Sequence, residues 1–144
     1  KKGATVLISN QSLKKENKQR VDKIFSNVGQ AFWVSDERQL DTATAISGSG
    51  PAYFYYFCES MIMAAIDLGM SKKLASELVH QTFVGAATLG QETEQTFLEL
   101  RNKVSSRGGT TEAAIYSFVH NELQEIVNKA VQSAHQRSIE LSES

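Results

Sequence analysis

Two adjacent glycines lie between pairs of hydroxyl residues in the stretch SSRGGTT, residues 105–111. Gly108 and Gly109 permit close approach by a ligand and backbone conformations that other residues avoid. The apolar-patterned segment EAAIYSFV follows directly, so Thr110 or Thr111 is expected to cap a helix whose first amides lack internal partners. Such amides, with the helix dipole and hydroxyl groups, can bind a small carboxylate or phosphate. A capped helix start that binds no ligand is the alternative interpretation.

The other reactive residues match no catalytic or metal-binding pattern. His80, His120 and His135 are scattered, with no histidine pair at i, i+4 and no cysteine or acid at ligand spacing. Neither a P-loop nor a GxSxG motif is present. The segment GSGPAY has Gly48 and Gly50 but lacks the third glycine of a dinucleotide-binding fingerprint. We therefore expect no metal site, and by themselves these two glycines only separate helices.

Composition narrows the class of protein. The 144 residues are 41% apolar and 22% charged, a balance that supports a folded core. A net charge of −1 with interleaved acids and bases argues against nucleic acid or an anionic membrane as partner, since both favour basic patches. Cys58 is the single cysteine, which indicates a reducing, cytoplasmic compartment. Glu59 and Asp67 interrupt the most apolar stretch, residues 52–70, so no membrane span is expected.

Residues 1–35 follow a strand–helix–strand pattern. ATVLIS (4–9) and QAFWVS (30–35) are typical of short strands. Ser12 is expected to cap the helix between them, and Gly29 is expected to stop it. Two strands do not form an independently stable sheet, so we expect this unit to be the end of a larger sheet domain. The apolar face of the helix is predicted to consist of Leu13, Val21, Ile24, Phe25 and Val28.

From Ser35 onward the pattern is helical throughout. Ser35, Ser71 and Asn121 are the expected caps of three helices, and Pro51 is expected at the first position of another. The segment SGSG (47–50) is expected to break the chain, and Gly69 and Gly90 are expected to stop the helices before them. The predicted helices cover residues 36–46, 51–68, 72–89, 96–104, 110–119 and 121–141.

The predicted helix 51–68 is apolar around nearly its whole circumference, which requires neighbours on every side. The other helices of one chain are too few to enclose it, so we expect an obligate, interlocked homodimer. A core helix that is well covered within a monomer is the alternative. The apolar residues are Tyr53, Phe54, Tyr55, Tyr56, Phe57, Met61, Ile62, Met63, Ala64, Ala65 and Ile66.

Two motifs together resemble the signature segments of the pyrroline-5-carboxylate reductase family. They are DTATAISGSGPAYFYYF (41–57) and LRNKVSSRGGTTEAAI (100–115), in matching order and spacing. Further similarity lies in NVGQAFWVSDERQLDTATA, LGMSKKLASELVHQTFVGAATL and AVQSAHQRSIEL, so the resemblance covers essentially the whole chain. Enzymes of this family use NADPH or NADH to reduce a cyclic imine acid to proline, the last step of proline biosynthesis.

The resemblance implies a mainly α fold. Residues 1–35 are expected to be the C-terminal remnant of a Rossmann dinucleotide-binding domain. Residues 36–144 are expected to form an all-helical dimerisation and substrate-binding domain, interlocked with a second copy, and some family members assemble further. The resemblance also implies that the chain is a fragment, since it has neither an initiator Met nor the dinucleotide fingerprint. Such a fragment would lack most of the site for NADP or NAD and would be inactive alone.

The resemblance also assigns site residues. In the family, the segment matching SSRGGTT holds the carboxylate of the imine acid, which implies substrate contacts by Ser106, Gly109, Thr110 and Thr111. The Thr111 hydroxyl is expected closest to the ring nitrogen. Hydride transfer to C=N depends mainly on orientation, so no protein base is required. Ser105, Arg107 and Gly108 are further candidates on the substrate side, and Ser47 and Gly48 are candidates on the cofactor side.

The chain departs from the family pattern at two places. Arg107 stands where the family usually has proline, which loosens the loop and adds a cation beside the proposed anion site. The segment FVHNELQ (118–124) lacks, at the matching positions, the glycines, the acid and the arginine usual after this helix. Two alternatives follow, both of them divergent family members. One is a helical dimerisation module without the reaction, and the other is a reductase of another cyclic imine or keto acid.

Overall fold

A computed structural model describes residues 2–10 and 12–143 and shows a mainly helical chain with one small parallel sheet. The chain divides into two compact units, one formed by residues up to 51 together with those from 128 onward, the other by residues 52–127. The elements are β1 (Gly3–Ile8), α1 (Lys15–Phe25), β2 (Gly29–Val34), α2 (Arg38–Ala43), a π-helical turn (Thr44–Gly48), α3 (Gly50–Asp67), α4 (Lys72–Glu92), α5 (Phe97–Lys103), α6 (Thr110–His120) and α7 (Leu123–Ser142).

The predicted strand–helix–strand unit is confirmed. β1 and β2 pair in parallel, with Gly3 opposite Gly29 at the start of the register. A side chain at Gly29 would overlap the backbone of Gly3, so glycine is required where the two strands begin. The prediction that Gly29 stops the helix is wrong, because α1 already ends at Phe25.

Trp33 fastens β2 to α1. Its indole Nε1 donates a hydrogen bond to Asp22 Oδ1 over 2.6 Å, and Lys18 Nζ lies 4.5 Å from the ring centroid. Contacts of this kind supply the indole with both a polar partner and a cation–π partner. The predicted apolar face of α1 is wrong in part, since the side chains of Ile24 and Val28 are 64% and 56% exposed.

The two predicted serine caps of α1 and α2 are wrong. The Ser12 hydroxyl donates to Asn10 Oδ1 over 2.9 Å, because the helix begins too far downstream for Ser12 to reach its amides. At α2 the N-cap is Glu37, and the Asp36 carboxylate accepts the Arg38 amide over 3.0 Å in place of Ser35. The Arg38 side chain also donates to Asp36, which lowers the pKa of that carboxyl. The Asp36 carboxylate is a stronger hydrogen-bond acceptor than the Ser35 hydroxyl.

The expected chain break at residues 47–50 is also wrong. The chain continues from α2 through the π-helical turn, where the Ser49 amide donates to the Thr44 carbonyl over 2.8 Å. Ser47 Oγ donates to the Ala43 carbonyl over 2.9 Å, so this hydroxyl folds back on the helix. α3 then begins at Gly50, which makes Pro51 its second residue. Such single π-helical turns occur often near functional sites.

The junction of α3 and α4 follows the sequence prediction. Gly69 has φ 95°, and the amides of Gly69 and Met70 donate to the carbonyls of Ile66 and Ala65 over 2.8 and 3.0 Å. This pair of hydrogen bonds is a Schellman motif. Ser71 caps α4 by accepting the Leu74 amide.

Two predicted boundaries further along the chain are wrong. α4 continues through Gly90 to Glu92, and a side chain at Gly90 would lie 3.2 Å from the Phe97 ring, which indicates close packing. Asn121 ends α6 and does not cap α7; its Nδ2 donates to the Ser117 carbonyl over 2.8 Å. Glu122 has φ 55° and interrupts the helical backbone between α6 and α7, and the side chain of Asn121 bonds the preceding helix.

The residues that the structure describes leave much of α3 exposed. Phe54 and Phe57 contact Phe83 and Phe118, with ring centroids 6.0 Å apart in both pairs. Even so, the side chain of Tyr56 is 72% exposed and that of Met63 is 55% exposed. The structure therefore differs from the alternative of a helix that is covered within a monomer. In the part of the chain described, no helix is both long enough and apolar enough to cross a membrane.

Candidate functional site

The glycine loop, residues 105–111, joins α5 to α6 within the second compact unit. Gly109 is the N-cap of α6, with an extended backbone at φ −86° and ψ 170°. The Gly109 amide donates to the Ser106 carbonyl over 3.0 Å, and its carbonyl accepts the Ala113 amide over 3.2 Å. The prediction of a threonine cap is therefore wrong: Thr110 is already the first helical residue.

The first amides of α6 point out of the helix without a partner. Among residues 2–10 and 12–143, no acceptor bonds the amides of Thr110, Thr111 or Glu112. Since the N-cap is a glycine, no side chain at that position competes for these donors. Thr111 is half-buried and Thr110 is exposed. The local geometry thus leaves free the donors that the sequence predicts, with a hydroxyl group next to them.

Glu112, in the first turn of α6, bonds the glycine loop, a contact that the residue pattern did not predict. Gly108 has φ 72°, and its amide donates to Glu112 Oε2 over 2.7 Å. A left-handed residue of this kind strongly favours glycine. The signal in the sequence was an acid three residues after the N-cap, the position from which a capping-box acid reaches back to a preceding amide.

The remaining loop residues divide into two kinds. Ser105 belongs to the end of α5, since its Oγ donates to the Arg101 carbonyl over 2.8 Å and its amide to the Asn102 carbonyl over 3.2 Å. Ser106 is exposed and lies close to the N-cap: a side chain at Gly109 would overlap Ser106 Oγ and lie 3.0 Å from its carbonyl oxygen. Arg107 is exposed and makes no hydrogen bond or ion pair within the described part of the chain.

A shallow groove of about 360 Å³ lies between α5 and α6 beside the loop. Ser105 and Glu112 line it, whereas the predicted substrate contacts Ser106 and Thr111 do not. No group of three or more His, Cys, Asp or Glu side chains is placed to hold a metal ion among the residues described. The other lining residues of the groove are Arg101, Asn102, Ile115 and Tyr116.

A capping box holds the start of α5, the helix that leads into the loop. Thr96 Oγ1 accepts the Glu99 amide over 3.3 Å, and Glu99 Oε2 accepts the Thr96 amide over 2.7 Å. The hydrogen bonds from the Thr96 amide and hydroxyl lower the pKa of Glu99. The two hydrogen bonds that Thr96 donates to Glu99 are charge-assisted only while the Glu99 carboxyl is ionised.

This capping box predicts a pH dependence. The pKa of Glu99 is lower in the folded chain than in the unfolded chain. The ionised carboxylate therefore stabilises the folded state above the unfolded pKa, and this stabilisation is lost as the pH falls through the folded pKa. We expect Thr96→Ala to raise the pKa of Glu99 towards its ordinary value, measured by NMR titration of the side-chain carboxyl. The control is Thr88→Ala, which removes an exposed hydroxyl outside the capping box and should leave the Glu99 titration unchanged. An unchanged Glu99 titration in Thr96→Ala would contradict the assignment.

Ser47 and Gly48 belong to the other compact unit, in the π-helical turn. Ser47 lines a groove of about 450 Å³ whose other walls come from one face of the sheet and from α2. Alternate residues of each strand face it, which gives a mainly apolar surface. The lining residues are Ala4, Val6, Phe32, Val34, Gln39, Thr42, Ala43, Ile46 and Ser47.

The fold is that of a helical domain preceded by a parallel strand–helix–strand unit, with a glycine-rich helix start as its candidate site. The family model described as pyrroline-5-carboxylate reductase dimerisation matches residues 37–141. The chain therefore belongs to the pyrroline-5-carboxylate reductase dimerisation family. This confirms the resemblance carried by the two sequence motifs.

Individual relatives agree with the family model. The chain is 43% identical over 143 residues to pyrroline-5-carboxylate reductase of Pseudomonas aeruginosa, covering 99% of this chain and 52% of the relative. A solved pyrroline-5-carboxylate reductase of Coxiella burnetii has a TM-score of 0.94 and 42% identity, over 97% of this chain and 52% of that one. The Plasmodium falciparum pyrroline carboxylate reductase, solved with NADP bound, has a TM-score of 0.83 and 35% identity, over 95% of this chain and 52% of that one. The chain thus spans about half the length of these relatives.

Proposed function

We propose that this chain is the dimerising and substrate-binding half of a pyrroline-5-carboxylate reductase, which reduces 1-pyrroline-5-carboxylate to L-proline with NADPH or NADH. The observation that carries the proposal is the similarity to a named reductase along 99% of the chain, including the glycine loop. We place the boundary between a Rossmann remnant and the helical domain after residue 35. The start of the family match at residue 37 supports that boundary.

The glycine loop has the donors that the carboxylate of an imine acid needs. The amides of Thr110 and Thr111 are free at the N-terminus of α6, where the helix dipole favours an anion. The hydroxyls of Ser106 and Thr111 add donors, with Thr111 nearest the ring nitrogen. These residues anchor the charge and orient the imine carbon, and a proton from water reaches the nitrogen as the carbon accepts a hydride.

Only part of a dinucleotide site fits this chain. The apolar groove beside Ser47 offers a surface suited to a flat ring, and Gly48 adjoins it. The GxGxxG fingerprint that binds a pyrophosphate is not in the sequence. When bound, the cofactor supplies the hydride, and the residues here contribute the edge of its site. This division suits a chain that is half of an enzyme and is inactive alone.

A second copy of the chain is the proposed partner. The exposed aromatic and methionine side chains of α3 form an apolar surface that water does not favour. A homodimer in which the α3 helices cover one another would bury it, and such dimers can associate further. The family description supports this by naming the matched region a dimerisation region.

Arg107 favours a second candidate, a reductase of another cyclic imine acid. Its exposed guanidinium makes no ion pair in the described part of the chain and adjoins the proposed anion site. A free cation there would favour a substrate with an additional acidic group. Residues 118–124, which include Glu122 with its φ of 55°, also depart from the family pattern.

The activity can be tested with the full-length protein. NADPH oxidation should accompany conversion of pyrroline-5-carboxylate to proline, and the present chain alone should give none. Absence of turnover with the full-length protein would contradict the proposal. Turnover only with a more acidic cyclic imine would favour the second candidate. Association without any turnover would favour a dimerisation module.

Thr111→Ala in the full-length enzyme should raise KM for the imine acid or lower kcat. We expect kcat/KM to fall by roughly tenfold, because one hydrogen bond to a charged ligand is lost. Association should be unchanged, since Thr111 lies at the helix start and not on α3. Steady-state kinetics and light scattering measure the two properties. The matched control is Thr88→Ala on α4, where an exposed hydroxyl is removed. Unaltered kinetics in Thr111→Ala would remove this residue from the site.

A further inference from the structure

We propose that Glu112 is a positioning residue that decides which amides of the glycine loop receive the substrate carboxylate. The proposal rests on the function proposed above. Its basis is the 2.7 Å hydrogen bond from the Gly108 amide to Glu112 Oε2, which spans the N-cap of α6. Glu112 is exposed and acts through the loop backbone, without contact to the reacting atoms.

The bond holds the loop in an unusual conformation. Gly108 has φ 72°, and no neighbouring atom lies within 4 Å of the place where its side chain would be. The hydrogen bond to the Glu112 carboxylate is the contact that the structure gives the Gly108 amide. The next residue, Gly109, bonds Ser106 and begins the helix. Glu112 thus closes a ring from Gly108 to the first turn of α6 and sets the direction of the amides within it.

The hydrogen bond between Gly108 and Glu112 also determines which backbone amides of the loop stay available to a ligand. Gly108 and Gly109 have their amides occupied, by Glu112 and by the Ser106 carbonyl. The amides of Thr110 and Thr111 remain for a ligand. A bound carboxylate is thereby directed to the helix start and away from the turn. The negative charge of Glu112 itself opposes an anion nearby, so the useful property of this side chain is its acceptor at the correct reach.

Three substitutions of Glu112 distinguish the effect of its side-chain length from the effect of its charge. Glu112→Gln keeps the length and an acceptor oxygen but loses the charge, while Glu112→Asp keeps the charge and is one methylene too short. In the full-length enzyme we expect Glu112→Gln to keep KM for pyrroline-5-carboxylate within about twofold of the original. Glu112→Asp and Glu112→Ala should raise KM by roughly tenfold, with kcat within about twofold and KM for NADPH unchanged. A role limited to the helix dipole predicts the opposite order for Gln and Asp.

Hydrogen exchange of the full-length protein gives a readout besides activity. The Gly108 amide should exchange at least about tenfold faster in Glu112→Ala and Glu112→Asp than in the original chain or in Glu112→Gln. Unchanged exchange, or faster exchange with unchanged KM, would overturn the positioning role. If the original full-length enzyme lacks turnover, the proposed function fails first. If it turns over and Glu112→Ala has the original KM, only the inference about Glu112 fails.

Discussion

Replacing Tyr56 by glutamate is expected to make the chain monomeric. Tyr56 lies on α3 with its side chain 72% exposed, on the helix whose apolar circumference the chain does not cover. In the proposed homodimer this position is buried, and a carboxylate without a partner there costs several kcal/mol. Because about 1.4 kcal/mol is tenfold in affinity, the dissociation constant should rise by at least about a thousandfold. Light scattering over a range of concentrations measures the mass.

The matched control for Tyr56→Glu is Gln19→Glu, which adds the same charge at an exposed position of α1. It should associate like the original chain. A monomeric mass for the original chain at every concentration would contradict the proposed homodimer. Equal masses for Tyr56→Glu and the original chain would place Tyr56 outside the interface.

Replacing Gly109 by valine is expected to reduce kcat/KM of the full-length enzyme by at least about a hundredfold, since displacements of about 1 Å in a binding loop have effects of this size. Any side chain at Gly109 overlaps Ser106 Oγ and lies 3.0 Å from the Ser106 carbonyl oxygen. The hydroxyl can rotate away, but the carbonyl is backbone and also accepts the Gly109 amide. The loop must therefore open, and the amides of Thr110 and Thr111 move with it.

The comparison for Gly109→Val is Gly108→Ala. A side chain at Gly108 meets no atom within 4 Å, so its effect comes only from the positive φ of 72°. That conformation costs about 1 kcal/mol for alanine, so we expect kcat/KM of Gly108→Ala to fall by roughly fivefold. Steady-state kinetics of both variants, with light scattering to verify assembly, measure the difference. A Gly109→Val enzyme as active as Gly108→Ala would show that the close approach of Ser106 is unimportant.

Local patterns predicted the elements well where one short signal dominates. The β-branched and aromatic runs predicted both strands, and Gly69 with Ser71 predicted the junction of α3 and α4. The same reasoning was wrong at Ser12 and Ser35, because each lies a residue or two too far from the amides it was expected to cap. A cap depends on the first helical residue, and sequence signals place that residue only within a few positions.

Glycines showed the same limit. The sequence marked Gly29, Gly48 and Gly90 as breaks. In the structure, Gly29 lies where the two parallel strands begin to pair, Gly48 lies in a π-helical turn and Gly90 lies inside α4. Glycine indicates that something special is required of the backbone. Whether that is a positive φ or a near neighbour is decided by atoms that are distant in sequence.

The candidate site divides in the same way. The residue types of 105–111 were sufficient to predict a helix start with free amides, and the structure has such amides at Thr110 and Thr111. The choice of Gly109 as N-cap and the bond from Gly108 to Glu112 required the folded loop. Substrate contact by these residues stays a prediction for the kinetic tests above.

The sequence alone predicted a mainly helical chain that begins with a strand–helix–strand unit, since helix periodicity and strand runs are properties of neighbouring residues. Its two spaced motifs carried the resemblance to the family. It also predicted that α3 needs neighbours on every side, because apolar residues around a helix can be counted without coordinates. The tertiary structure decided how each backbone group is satisfied: which amide Glu112 accepts, which carbonyl Ser47 bonds and where each helix begins. The physical reason is range, because periodic patterns act over a few residues whereas a hydrogen bond depends on positions within a few tenths of an ångström.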